Sequence, residues 1–257
     1  MQLTEDSFHE HRIMWTEQKV RRFWDYCVTN KVLSQISFAR LNGNAIVKLA
    51  LPYLSKKGKH LDYGCGGGYL MECLFRKGIR CQGIDMSPVS NTTTLERLSG
   101  YDLFDGIINY DGLPNKQISD NTYDAVFFVE VIEHLLTEKR EAVLQELNRI
   151  VKEQGYILVS TPNNEDLTRQ TVMCPDCGAI FHDTQHTTQY TQESLQELMS
   201  TMGFDAVLCK PTNLTKYRNL YLRIRYLLSA ISARLRSAPA PLPHLIYLGR
   251  KRSNAYC

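Results

Sequence analysis

At 257 residues, with 43% hydrophobic and 22% charged side chains, the chain has an ordinary globular balance that excludes a fibrous protein and wholesale disorder and leaves room for one large core. The polar start lacks the apolar run of a signal peptide, and no stretch reaches the roughly 18 uninterrupted apolar residues of a membrane span, so the expected location is the cytoplasm. The net charge of +3 is unevenly spread: from Ala206 onward there are ten Lys and Arg and no Asp or Glu, against 20 basic and 27 acidic side chains before it.

Val20, Phe23, Trp24 and Cys27 recur at i, i+3, i+4 and i+7, which predicts an amphipathic helix over 16–30 capped by Thr16. A second helix is expected over 34–54, so that residues 1–55 form a helical extension covering part of the acceptor and cofactor site. From 56 onward strand-like and helix-like segments alternate. Strands are expected near 59–63, 80–84, 104–108, 123–129, 155–161, 204–209 and 244–250, and helices near 68–77, 88–98, 137–153 and 191–202. Such alternation predicts an α/β, doubly wound, mostly parallel sheet of seven strands covered on both faces. Two segments stand outside it: a Cys/His loop at 162–190 and a basic helical insertion at 211–243, which ends in the proline-rich connector Ser237-Ala-Pro-Ala-Pro-Leu-Pro243.

His60-Leu-Asp-Tyr-Gly-Cys-Gly-Gly-Gly-Tyr69 sets a strand before a glycine cluster and the cluster before a helix, where a backbone without Cβ atoms can approach a ligand closely. Asp85 follows at the end of the next strand, positioned for both ribose hydroxyls of an adenosine. The dinucleotide spacing would need a glycine where Tyr69 stands. Instead, Leu61-Asp-Tyr-Gly-Cys-Gly-Gly-Gly68 resembles motif I of class I S-adenosylmethionine-dependent methyltransferases, in which the acid at Asp62 lies near the methionine part of the cofactor. Asp111-Gly-Leu-Pro114 resembles their adenine-binding loop. The resemblance extends over about 59–209 and implies Asp62, Gly64, Cys65, Gly66, Gly68, Asp85, Met86, Asp111, Gly112 and Val129 as the cofactor set.

Methyl transfer from a sulfonium is a direct displacement, so the protein must align the nucleophile and dispose of its proton. Glu130, Glu133 and His134 stand at i, i+3 and i+4 and would share one face if a helix starts at the strand end. One reading makes His134 or a glutamate the general base. The other, implied by resemblance to ubiquinone-pathway O-methyltransferases and small-RNA terminal 2'-O-methyltransferases with a Glu-x-x-Glu-His site, makes Glu130, Glu133, His134 and His186 ligands of a divalent ion such as Mg or Zn. His182 is a second candidate for the downstream histidine. Cys174-Pro-Asp-Cys-Gly-Ala-Ile-Phe-His-Asp-Thr-Gln-His186 offers a competing zinc set of Cys174, Cys177, His182 and His186, unless the cysteines are merely two thiols in a tight turn.

The combined pattern resembles methyltransferases associated with polysaccharide and glycolipid assembly. It implies a hydroxyl on a saccharide, glycolipid or other small or lipid-linked acceptor; the alternatives are an RNA 3'-terminal 2'-O-methyltransferase and a non-catalytic cofactor-binding partner subunit. Tyr217, Leu220, Tyr221, Ile224, Leu227, Leu228, Ile231 and Leu235 form an apolar stripe flanked by Arg218, Arg223, Arg225, Arg234 and Arg236. This stripe at 214–236 can meet the inner face of a membrane or a lipid-linked substrate, pack on the domain or on a second subunit of a homodimer, or face nucleic-acid phosphates.

Overall fold

The structure is a computed structural model that describes residues 8–217, 220–235 and 242–253. Most of the connector at 237–243, together with Arg218 and Arg236, lies outside these residues. Strands β2 (His60–Tyr63), β3 (Cys81–Asp85), β4 (Phe104–Asn109), β5 (Tyr123–Val129), β6 (Val151–Pro162), β9 (Phe204–Thr212) and β10 (His244–Lys251) build one seven-stranded sheet. Its order is β4-β3-β2-β5-β6-β10-β9, and only β10 runs antiparallel to its neighbours. This is the doubly wound sheet that the alternation predicts. A second sheet, β1 (His11–Arg12), β8 (Ala179–His182) and β7 (Thr171–Met173), was not foreseen.

Parallel strands buried on both faces need apolar residues in both registers, and β5 supplies them. Val126 and Phe128 join one core with Leu144 and Leu147 of α6 (Thr137–Ile150) and Leu195 and Met199 of α7 (Gln192–Thr201). Phe127 and Val129 join the opposite core with Ile46 and Val47 of α3 (Phe38–Ala50) and Leu70, Met71 and Leu74 of α4 (Tyr69–Phe75). Truncating a side chain as deeply enclosed as Phe127 costs about 3–5 kcal/mol, a large part of the stability of a domain.

Thr16 caps α1 (Glu17–Thr29) by accepting from the Lys19 N–H. The expected helix over 34–54 is instead two helices, α2 (Lys31–Gln35) and α3. Asn30 Oδ1 accepts from the N–H groups of Val32 and Leu33, which starts a new helix early, and Ile36 leaves it in a tight turn, its N–H donating to Leu33 O. Likewise α6 stops at Ile150, not 153, because Val151 already pairs with Tyr123 of β5. The Lys251 ammonium anchors this junction, donating to Asn121 Oδ1, Asn148 O and Val151 O at 2.9, 2.7 and 2.8 Å. It neutralises the carbonyl end of α6, where a cation is favoured.

Strand order reverses between β2 and β5. In such sheets ligands bind outside the carboxyl ends of the strands at this point, and both the glycine loop and Glu130 emerge there.

Candidate functional site

The glycine loop leaves β2 with positive φ at Gly64 (85°), Gly66 (49°) and Gly68 (72°). A Cβ on Gly64 would lie 2.5 Å from Val131, and one on Gly68 would lie 2.8 Å from Leu98 and Thr94, whereas at Gly66 nothing stands within 4 Å. Gly64 and Gly68 are thus demanded by backbone conformation and packing, and Gly66 leaves an open cradle. Asp85 closes it: Oδ2 accepts from the Gly66 N–H and Oδ1 from the Ser87 N–H, both at 2.9 Å. Ser87 caps α5 (Pro88–Leu98), and its hydroxyl donates to Asp25 of α1.

These elements and β5 enclose a pocket lined by Tyr63, Gly64, Gly66, Asp85, Met86, Glu130 and His134, with Val20, Trp24 and Val28 of α1 across from them and Leu113, Leu135, Leu136 and Val143 completing the wall. Glu17 at the rim is tied to Lys139 of α6 by a 2.7 Å ion pair. The lining excludes several residues of the expected cofactor set. Cys65 and Val129 are packed in the core behind the loop. Asp111 is exposed, its Oδ1 accepting from the Lys116 N–H at 3.3 Å, while Tyr110 and Leu113 of the same loop occupy the wall, with Gly112 outside it.

Asp62 is buried beneath the glycine loop, and burial together with the charge of Asp85 pushes its carboxyl up to about 8. It is therefore protonated at neutral pH when the pocket is empty. A ligand that brings an ammonium group favours the ionised form, so binding expels a proton and strengthens as pH rises towards 8. The dissociation constant of S-adenosylhomocysteine, followed calorimetrically, is expected to fall up to about tenfold per pH unit between 6 and 8, and Asp62→Asn should flatten the profile. A flat wild-type profile would separate Asp62 from the cofactor.

At the end of β5 there is no α-helix to set Glu130, Glu133 and His134 on one face. Glu130 takes φ 53°, and Ile132–His134 is a single 3-10 turn. The strand end is held by the Glu130 N–H donating to Ser160 O at 2.9 Å and by the Ser160 hydroxyl donating to Glu130 Oε1 at 2.7 Å. Burial pushes the Glu130 carboxyl up to about 7. Glu133 is fully buried, neither carboxylate oxygen meets a hydrogen-bond partner, and burial and the facing Glu130 charge drive its pKa well up. His134 is pushed down to about 3, first by burial and then by His186, so its imidazole is neutral.

Glu133, His134 and His186 present ligand atoms within 4.8 Å of one another, and so do Glu165, His182 and His186. His186 links the groups, its Nδ1 in a 2.5 Å hydrogen bond with Glu165 Oε2 and its ring stacked on His182 at 4.7 Å. The alternative zinc set is split apart. Cys174 and Cys177 sit in the turn of the β7–β8 hairpin, while His182 ends β8; an extended strand advances roughly 3.3 Å per residue, so the two pairs lie at opposite ends. Among the described residues, neither cysteine joins a group of three candidate ligands.

Glu165, Gln185 and Ser160 were not foreseen. Gln185 is buried, accepts from the Trp24 indole N–H at 2.9 Å and donates to His134 O at 3.1 Å, tying α1 to the histidine loop. A tryptophan on a helix stripe requires an acceptor for its N–H, but nothing in the spacing says which.

A family model described as a methyltransferase domain matches residues 36–209. The ubiquinone biosynthesis O-methyltransferase of Alkalilimnicola ehrlichii is 29% identical over 163 residues, 62% of this chain and 62% of the relative, so the match spans about three fifths of that relative's length. Two solved structures share the fold. One is a SAM-dependent methyltransferase from Archaeoglobus fulgidus, with TM-score 0.58 and 19% identity over 81% of this chain and 92% of that one. The other is the Burkholderia thailandensis 1,6-didemethyltoxoflavin N1-methyltransferase, bound to 1,6-didemethyltoxoflavin and S-adenosylhomocysteine, with TM-score 0.60 and 13% identity over 95% and 93% of the two chains. With the glycine cradle, Asp85 and the strand order in place, the chain belongs to the methyltransferase-domain family.

Proposed function

We propose that the chain methylates a hydroxyl group on a lipophilic acceptor. The observation that supports this most is the meeting, in one pocket, of a wall of Val20, Trp24, Val28, Leu113, Leu135, Leu136 and Val143 with the carboxylate of Glu130, whose pKa of about 7 suits a general base at neutral pH. S-adenosylmethionine supplies the methyl group from its sulfonium. Glu130 takes the hydroxyl proton as the acceptor oxygen bonds to the methyl carbon and the carbon–sulfur bond breaks, its electron pair staying on sulfur. Trp24 and the α1 face exclude water and hold the acceptor in line.

The neighbouring donors fit a divalent cation. Neither carboxyl oxygen of the buried Glu133 has a hydrogen-bond partner, and a buried carboxyl that ionises is ordinarily paired or bound to metal. The His134 imidazole is neutral, and Glu165 orients His186 through Nδ1, as carboxylates commonly do for metal-binding histidines. Glu133, His134 and His186 would hold the ion, which would lower the pKa of the acceptor hydroxyl.

The relatives named for ubiquinone biosynthesis agree with a lipophilic acceptor. A saccharide hydroxyl suits this pocket where the sugar is carried on a lipid, since a free sugar would leave the apolar wall uncovered. RNA is disfavoured because Glu17, Asp85 and Glu130 face the pocket against one lysine and no arginine among its described lining residues, and that lysine, Lys139, is paired with Glu17. Transfer of a labelled methyl group to a prenylated phenol, a lipid-linked saccharide, a free saccharide and a short RNA tests the reading. Labelling of a lipophilic hydroxyl is the expected outcome. Labelling confined to RNA, to the free sugar or to a nitrogen would overturn it.

A further inference from the structure

Helix α8 (Leu220–Leu235), between β9 and β10, shows its apolar side to solvent. At roughly 100° per residue, Tyr221, Ile224, Leu227, Leu228 and Ile231 fall within an arc of about 120°. All five are exposed, from 48% to 66%. Arg223 and Arg225, also exposed, border the two sides of this arc, and the half-buried Leu222 and Tyr226 lie on the opposite side. A helix that packs on its own domain turns its apolar stripe inward; α8 has the reverse orientation. Its principal neighbour in the fold is the 3-10 turn Leu214–Tyr217, anchored by the fully buried Leu214.

We infer that α8 is a docking surface for an anionic lipid bilayer. The charge pattern selects this occupant. No acidic residue occurs from Ala206 onward, while ten Lys and Arg do, and an arginine on each border of an apolar arc can extend to lipid phosphates as the arc enters the acyl boundary. A second copy of the chain on the same face would set these arginines against one another, with no carboxylate in this segment to pair them. Among the described residues no helix is long and apolar enough to cross a membrane, so α8 would lie in the interface plane.

Topology gives the docking a consequence for the site. His244 of β10 pairs with both Pro162, the last residue of β6, and Thr212, the last of β9. The chain therefore enters the α8 segment from the carboxyl edge of the sheet, the edge that carries the pocket. Docking through α8 sets that edge towards the bilayer. The inference about the surface stands without the acceptor assignment, which it complements.

The test is co-sedimentation of the full chain with sucrose-loaded vesicles of phosphatidylcholine alone, or with phosphatidylglycerol as about one third of the lipid. The wild type is expected to partition at least about tenfold more strongly onto the anionic vesicles, less so at high salt. Arg223→Gln with Arg225→Gln should remove the anionic preference, and Leu227→Ser with Leu228→Ser should abolish binding. S-adenosylhomocysteine affinity, measured on the same samples, should be unchanged in all variants, which reports an intact fold and separates this result from any failure of the catalytic reading. No partition of the wild type onto anionic vesicles would overturn the inference. So would equal partition of the wild type and the serine variant, or a concentration-dependent dimer or RNA complex that the serine variant abolishes without any vesicle binding by the wild type.

Discussion

Asp85→Ala is expected to weaken S-adenosylhomocysteine binding by about 10- to 100-fold, the largest effect of any single change in the cofactor pocket. Asp85 shapes the cradle before any ligand arrives, because its two oxygens hold the N–H groups of Gly66 and Ser87. Removing it strands both donors, at about 1–3 kcal/mol for each buried group left unpaired, and deletes the carboxylate that the motif resemblance assigns to the ribose. Asp85→Asn keeps one acceptor and loses the charge, so it should fall between the two. Calorimetric titration with S-adenosylhomocysteine, alongside thermal melts, measures both. Wild-type affinity in a well-folded Asp85→Ala protein would move the cofactor elsewhere.

Glu133→Gln should separate catalysis from stability. Its carboxyl is fully buried without a hydrogen bond and its pKa is driven well up, so at neutral pH the isosteric amide replaces an uncharged group and the melting temperature should stay close to that of the wild type. Turnover should drop by about 100-fold or more, because the ion that Glu133 would help to hold supplies several kcal/mol of charge stabilisation at the acceptor oxygen, with S-adenosylhomocysteine affinity intact. If a divalent ion binds as proposed, the variant should also retain less of it after dialysis. Wild-type activity depends on an ionised Glu130 with a pKa of about 7, so it should rise as pH increases through that region. Single-turnover methyl transfer across pH, with elemental analysis of wild type and variant, provides the comparison. Full activity in Glu133→Gln would take this residue out of the chemistry.

The regularly patterned parts of the molecule were legible in the sequence. Runs such as 123–129 are apolar in both registers, which only a doubly covered strand tolerates, and Thr16 marks the start of α1 by the chemistry of its side chain. The misread boundaries lie where two local preferences compete. Val151 follows the helical pattern of α6 but is taken by pairing with Tyr123 of β5, and 30–37 contain two helix starts in close succession.

The site divides in the same way. The glycine loop and Asp85 are read from local spacing because their function is local backbone geometry: positive φ at Gly64, Gly66 and Gly68, and a carboxylate at a strand end. The same reading placed Asp111 in the pocket, yet the loop turns Tyr110 and Leu113 inward instead, a choice made by packing. Glu165 and Gln185 carry no spacing signal, since they reach His186 and His134 from separate segments. The four-ligand zinc pattern failed because an extended strand separates what the spacing had grouped.

The sequence by itself determined the doubly wound sheet, a nucleoside-binding loop and the basic character of the segment after Ala206, since each rests on periodicity, on backbone freedom at a few glycines, or on composition, while the methyl donor is what the motif resemblance implies. Only the tertiary structure decided which histidine meets which carboxylate, that Glu133 is buried without a hydrogen bond, and that the apolar face of α8 points outward. Those outcomes depend on how segments far apart in the chain share limited space. Local pattern states what each segment can bury, and packing chooses what it buries against.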